Sequence, residues 1–118
     1  MANTSFDLVT PTSTLFSGEA EMVVCVSVEG EIAFLADHAP YIGALYPCLV
    51  RVLQTDSPEF RVAVHGGFVE VKDNHVIMLA DEAVSADEVD AAAARDELDS
   101  EDETVVRWAR AQLDLVGT

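Results

Sequence analysis

Apolar and polar residues along this chain follow two different periods, and the change falls near residue 80. Upstream the period is two. Phe60, Val62 and Val64 alternate with Arg61, Ala63 and His65, Val69 and Val71 alternate with Phe68, Glu70 and Lys72, and Val50 and Val52 flank Arg51. Val24, Val26 and Val28 alternate in the same way with Cys25 and Ser27. Such alternation sends successive side chains to opposite faces of a strand. Asp73-Asn74 supplies a turn into His75-Val76-Ile77-Met78-Leu79. Breaks at Pro11, Gly18, Gly30, Pro40, Pro47, Pro58 and Gly66-Gly67 recur about every 8–12 residues, as in an all-β sandwich or barrel. Residues 22–26 are apolar on both faces, the pattern of a sheet covered on each side. Residues 1–84 are therefore expected to form an all-β sandwich.

Downstream the period becomes helical, and residues 85–118 are expected to form a small α-helical hairpin. Ser85-Ala86-Asp87-Glu88 reads as a capping box, with Ala91, Ala94 and Leu98 on one stripe behind it. Ser100-Glu101-Asp102-Glu103 repeats the signature, and Val105, Trp108, Ala109, Leu113 and Val116 then fall on one helix face ahead of Gly117. Only Asp99 and Ser100 separate the two expected helices, which forces an antiparallel pair. At roughly 13 and 16 residues both are marginal alone and must dock to persist. Two readings follow: a pair fixed in one place, or a pair that exchanges its own β-domain for a partner.

Charge narrows the partners. The 118 residues carry 22 acids against 6 bases, a formal net charge of −16, and such a surface repels phosphate backbones and anionic headgroups. Nucleic acid and direct membrane insertion are not expected; no apolar run approaches the ~20 residues of a spanning helix. Residues 81–103 hold 11 of the acids, whereas Arg95, Arg107 and Arg110 are three of the six bases and all lie in the hairpin. Met1-Ala2-Asn3-Thr4-Ser5 lacks the basic and apolar regions of a signal peptide. Cys25 and Cys48, each in an apolar strand-like run, read as buried free thiols.

No catalytic residue is assigned. His38 has no nucleophile beside it in sequence, and Asp37 alone does not complete a triad. His65 and His75 are expected at strand ends facing solvent, with no metal spacing. Gly66-Gly67 reads as a tight turn with positive φ between two strands, not as a phosphate nest, because no helix follows it. Neither a metal nor a cofactor is expected. Trp108 fits either a packed helix interface or a partner anchor.

Five elements in register resemble one family. Val9-Thr10-Pro11 with Phe16-Ser17-Gly18-Glu19-Ala20, Gly30-Glu31-Ile32 leading to Asp37-His38-Ala39-Pro40, Gly66-Gly67-Phe68-Val69-Glu70-Val71, Leu79-Ala80-Asp81-Glu82-Ala83, and Val89-Asp90 occur in order. Together they resemble the epsilon subunit of the bacterial F-type ATP synthase, and the brief hairpin is similar to the short C-terminal domains of actinobacterial members. The resemblance implies a non-catalytic central-stalk rotor subunit beside gamma and on the membrane ring, peripheral at the cytoplasmic face of the membrane. It would couple ion-driven ring rotation to ATP synthesis and restrain ATP hydrolysis.

Carried over residue by residue, the ring-facing contact falls on Glu31, His38, Ala39 and Pro40. Regulatory contacts with the catalytic head fall on the hairpin, where Arg95, Arg107, Trp108 and Arg110 are the candidates. Some members bind ATP through an Ile/Leu-Asp-x-x-Arg-Ala motif. Here Val89-Asp90-Ala91-Ala92-Ala93-Ala94 places Ala93 where the arginine belongs, and Arg95 comes two residues late, so no nucleotide is expected. A second departure is Leu35-Ala36-Asp37, where the family often has Pro-Gly before the histidine. A free-standing acidic β-domain binding a regulatory protein or small ligand would explain fold and charge, but not the ordered matches.

Overall fold

The computed structural model describes residues 2–117. Ten strands come first: β1 Thr4–Val9, β2 Thr14–Ala20, β3 Met22–Ser27, β4 Gly30–Leu35, β5 Tyr41–Leu45, β6 Cys48–Leu53, β7 Phe60–Val64, β8 Gly67–Lys72, β9 His75–Ala80 and β10 Ala83–Val84. A 3₁₀ turn at Ala86–Glu88 and two helices, α1 Ala91–Glu97 and α2 Glu103–Val116, follow among the described residues. The strands form one sheet in the order β10-β7-β6-β3-β5-β8-β9-β1-β2, with β4 on the other edge of β3. It is folded over on itself, which makes it a sandwich.

The fold line has a simple cause. β5 and β6, β7 and β8, and β9 and β10 are three long strands, each bent once and paired antiparallel on both sides of the bend. Hydrogen bonding continues through the crease: His65 N donates to Glu82 O at 2.8 Å and Asp81 N to Gly66 O at 3.0 Å. On the first strand the bend falls at Tyr46-Pro47, where β3 changes its pairing register from Leu45 to Arg51, and a proline at such an irregularity forfeits no ladder hydrogen bond. On the second it falls at Gly66 and Gly67, with φ of +134° and +137°, a region only glycine occupies readily. The pair is thus a corner between layers rather than the expected turn, since β7 and β8 do not pair with each other. Val23, Cys25, Val50, Val52, Val62, Val64, Val69, Val71, Val76 and Met78 fill the space between layers. The open side closes by aromatic contact, Phe16 of β2 lying 5.2 Å from Phe60 of β7.

The helical end departs from expectation in three ways. Ser85 and Glu88 do form a capping box, but it caps only the 3₁₀ turn. Val89 is then extended and packs beside Ala63, Ala111 and Leu115; its burial ends the turn, and Asp90 restarts a helix by accepting from Ala93 N at 3.1 Å. Second, α2 is capped by Asp102, which accepts from Thr104 N at 2.9 Å, while Ser100 only accepts from Asp102 N. Residues 98–102 therefore link the helices. Third, α2 has two buried faces instead of one. Ala111 and Leu115, with Trp108, pack on Ala63 and Leu49 of the sheet, whereas Ala109 and Leu113 pack on Ala91, Ala94 and Leu98. A helix held between a sheet and a second helix needs both stripes, so Ala111 and Leu115 are buried as well as the expected Ala109 and Leu113. Gly117 ends α2 at φ +79°, its N–H donating to Leu113 O.

Candidate functional site

The residues singled out by sequence fall into two separate regions. Glu31 is exposed near the start of β4, whereas His38, Ala39 and Pro40 form the loop beyond its end, so the length of β4 lies between them. Glu31 lines a cleft of about 370 Å³ beneath α2 with Val24, Val26, Arg51, Arg107 and Arg110. Those outward-facing valines explain why residues 22–26 are apolar on both faces: Cys25 and Ser27 face the core, and Val24 and Val26 lie under the helix.

The His38 loop is braced from inside. The His38 ring meets the edge of the buried Phe34 at 5.0 Å between centroids, and its Nδ1 lies 2.7 Å from Ala39 O. Phe34 also contacts Tyr41 at 5.6 Å. Tyr41 runs over Gly43, where an added Cβ would lie 2.6 Å from its hydroxyl, and donates to Glu29 Oε1 at 3.0 Å.

Of the hairpin candidates, Arg107 and Trp108 are engaged. Trp108 lies edge-on to His65 at 4.9 Å, so His65 packs against the helix instead of facing solvent; its place at the end of β7 beneath α2 is the reason. Arg107 pairs with Glu103 at 2.8 Å and stacks 3.9 Å above the Tyr46 ring, a cation–π contact. Arg61 Nη2 donates to Asp114 O at 3.2 Å. Arg95 and Arg110 are exposed, as is Ala93.

His75 is also tied down, Nε2 lying 2.6 Å from Asp7 Oδ2 across the parallel β1–β9 pair. A hydrogen bond from Ser17, then His75, holds the Asp7 carboxyl below its usual range. Cys25 and Cys48 are free and buried. Burial pushes the Cys25 thiol up to about 12, with the neighbouring Cys48 adding to it, and burial pushes Cys48 to about 11; at neutral pH both are inert thiols.

Sequence reasoning missed the most conspicuous surface. On the outer face of β5, β8 and β9, Ile42 is 71% exposed, Phe68 59% and Leu79 55%. Phe68 sits opposite Leu79, and Glu70 is flanked by Ile42 and Ile77. The row encloses a groove of about 280 Å³. Its signal was present: Phe68 occupies the polar phase of β8, and residues 76–79 are apolar in both phases. A contiguous exposed apolar patch on a charged protein marks a contact surface. Among the described residues, no helix is long and apolar enough to cross a membrane.

Residues 3–86 match the family model for the β-sandwich domain of the ATP synthase delta/epsilon chain. The ATP synthase epsilon chain of Corynebacterium efficiens is 41% identical over 117 residues, covering 98% of this chain and 94% of the relative. That of Desulforamulus reducens is 43% identical over 96 residues, 80% of this chain and 72% of the relative. That of Mycolicibacterium smegmatis is 35% identical over 118 residues, 99% and 98%. Among solved structures, a chain of the Euglena gracilis mitochondrial ATP synthase (OSCP/F1/c-ring) shares the fold at TM-score 0.71 and 23% identity, covering 99% of this chain and 79% of that one. A chain of the Tetrahymena thermophila mitochondrial ATP synthase central stalk and c-ring does so at TM-score 0.69 and 15% identity, covering 92% and 95%. With a sandwich that matches the family model across most of its length and relatives that align over nearly the whole of it, the chain belongs to the ATP synthase delta/epsilon family.

Proposed function

We propose that this chain is a non-catalytic rotor subunit of the central stalk of an F-type ATP synthase, at the cytoplasmic face of the membrane. It would pass rotation between the membrane ring and the catalytic head. The apolar face of Ile42, Phe68 and Leu79 carries this reading: its three strands belong to a folded, continuously hydrogen-bonded sheet, and a packed sandwich transmits load with little deformation. That face is assigned to gamma, and the groups at the two ends of β4, Glu31 and His38-Ala39-Pro40, to the ring. The two structural neighbours belong to F1, central-stalk and ring assemblies, which supports the same placement.

The hairpin is the adjustable part. Residues 85–118 form the proposed regulatory unit, docked on the sandwich by Trp108 and Arg107 and able to present Arg95, Arg107, Trp108 and Arg110 to the catalytic head on release. Asp90 is occupied as a helix cap and Ala93 carries no charge, so this reading gives the hairpin no nucleotide.

The test is co-purification of the full chain with gamma and the ring from a reconstituted synthase. Stoichiometric recovery is expected, and Phe68→Glu should abolish it while leaving the unfolding midpoint in place, because Phe68 is exposed. Recovery that is unaffected by Phe68→Glu would remove the assignment of that face. Reversing the charge of both Arg107 and Arg110 without a change in ATP hydrolysis would remove the regulatory contact.

A further inference from the structure

Asp37, Asp73 and Asn74, with φ of +60°, +53° and +57°, are the non-glycine residues in the left-handed region among those described. They are joined. The Asp37 N–H donates to Asn74 Oδ1 at 2.8 Å, although the two lie 37 residues apart. The Asn74 amide nitrogen donates in turn to Asn3 O at 3.0 Å, and its backbone carbonyl accepts from Thr4 Oγ1 at 2.9 Å and Ser5 N at 3.1 Å. Asn74 therefore ties the β8–β9 turn to the β4–β5 loop and to the start of β1.

Both turns use a side chain where glycine is the ordinary choice. His38 N donates to Leu35 O at 3.2 Å, closing a turn in which Asp37 is the third residue and the one with positive φ, as in a type II turn. That place favours glycine, because a Cβ there is strained. In the β8–β9 hairpin both central residues, Asp73 and Asn74, are left-handed as in a type I′ turn, whose second position is also usually glycine. Glycine at 74 would fit the hairpin but supply no amide to Asp37.

We propose that Asn74 is the positioning residue of the loop that presents His38, Ala39 and Pro40. Its carboxamide holds Asp37 in the left-handed conformation and so replaces the conformational freedom of a glycine there. The functional consequence rests on the ring-facing assignment of that loop; the conformational one does not.

The experiment compares the full chain with Asn74→Gly, Asp37→Gly and the double variant. Asn74→Gly keeps the hairpin's backbone geometry and removes only the amide. The hydrogen-exchange rate of the His38 amide, which reports closure of the loop turn, should rise roughly 3- to 10-fold in Asn74→Gly, the equivalent of one net hydrogen bond. Asp37→Gly in the same chain should restore the original rate, because glycine no longer needs the tether. An unchanged His38 rate in Asn74→Gly overturns the proposal, and so does a double variant as fast as Asn74→Gly. Binding of the same four proteins to the membrane ring in lipid vesicles is read in parallel. Binding that tracks the His38 rates supports both readings; rates that follow the expected pattern with binding constant throughout leave the positioning role intact and remove the ring-facing assignment.

Discussion

Gly67→Ala tests whether the crease dictates the sandwich. At φ +137° the backbone of Gly67 lies where an L side chain is strained, and a Cβ built there falls 1.9 Å from Leu79 O, 2.9 Å from Leu79 C and 3.0 Å from Ala80 Cα. All three atoms are backbone of the neighbouring strand, so no rotamer relieves them. Restoring a 3.4 Å contact moves β8 and β9 apart by about 1.5 Å. That strains the pairing at Gly67 with Ala80 and Phe68 with Leu79. Backbone strain costs roughly 1–3 kcal/mol, and two weakened ladder bonds add about 0.5–1.5 kcal/mol each. The total is about 4 kcal/mol, a large part of the roughly 5–15 kcal/mol that stabilises a domain.

Two controls separate strain from collision. Gly30 has φ +121° with nothing within 4 Å of its added Cβ, and Gly66 has φ +134° with Leu45 O at 3.4 Å. Gly30→Ala should therefore cost only the strain, about 1–3 kcal/mol, and Gly66→Ala slightly more. Urea unfolding of the full chain by linear extrapolation gives all three on one scale. The order Gly67 above Gly66 above Gly30 is expected; a Gly67→Ala variant no less stable than Gly30→Ala would refute the argument.

Trp108→Ala should cost about 2–3 kcal/mol, below the ~3–5 of a fully buried aromatic because the ring is half-buried. Amide exchange should quicken across α1 and α2 while β8 and β9 keep their protection; uniform quickening would show that the hairpin is not a separable unit. Asp7 gives a pH signature. Its carboxyl is depressed in the fold, so the stability it contributes is complete above the unfolded value near 3.8 and is lost as pH falls through the lower folded value. Asp7→Asn should flatten that acid limb; an unaltered limb would mean that the Ser17 and His75 contacts do not persist in solution.

What could be read from the sequence was what depends on local period. β6, β7 and β8 were legible because Val50, Val52, Val62, Val64, Val69 and Val71 alternate with polar or small residues, the period of a strand that turns one face to the core. The crease was not. Gly66-Gly67 looks like any turn until it is known that Leu79 crosses beside it, and that neighbour is set by pairing twelve residues away. The α2 stripe was read for one face because amphipathic periodicity assumes one buried side; Ala111 and Leu115 become visible only when a second layer exists. The His38 loop was singled out only through resemblance, and its brace at Asn74 was not legible at all, since a hydrogen bond across 37 residues leaves no periodic trace.

The arrangement of layers bears on how attachment and regulation can coexist. α2 packs on the outside of β6 and β7, while the apolar row of Ile42, Phe68 and Leu79 lies on the outside of β5, β8 and β9. Because each long strand contributes one segment to each layer, the two surfaces face opposite ways on the same three strands. Release of the hairpin would expose Ala63 and Leu49 without touching a residue of the apolar row, so a subunit held by that row, as proposed, would keep its attachment while its helical end changed. The shortest covalent route between them is the crease itself: His65 meets Trp108, Phe68 begins the apolar row, and Gly66 and Gly67 stand between. Those glycines are pinned, Gly66 O accepting from Asp81 N and Gly67 lying against Leu79. Under the proposed reading, movement of the helix at His65 would meet this pinned corner before it reached Phe68, and docking on one layer would be insulated from undocking on the other.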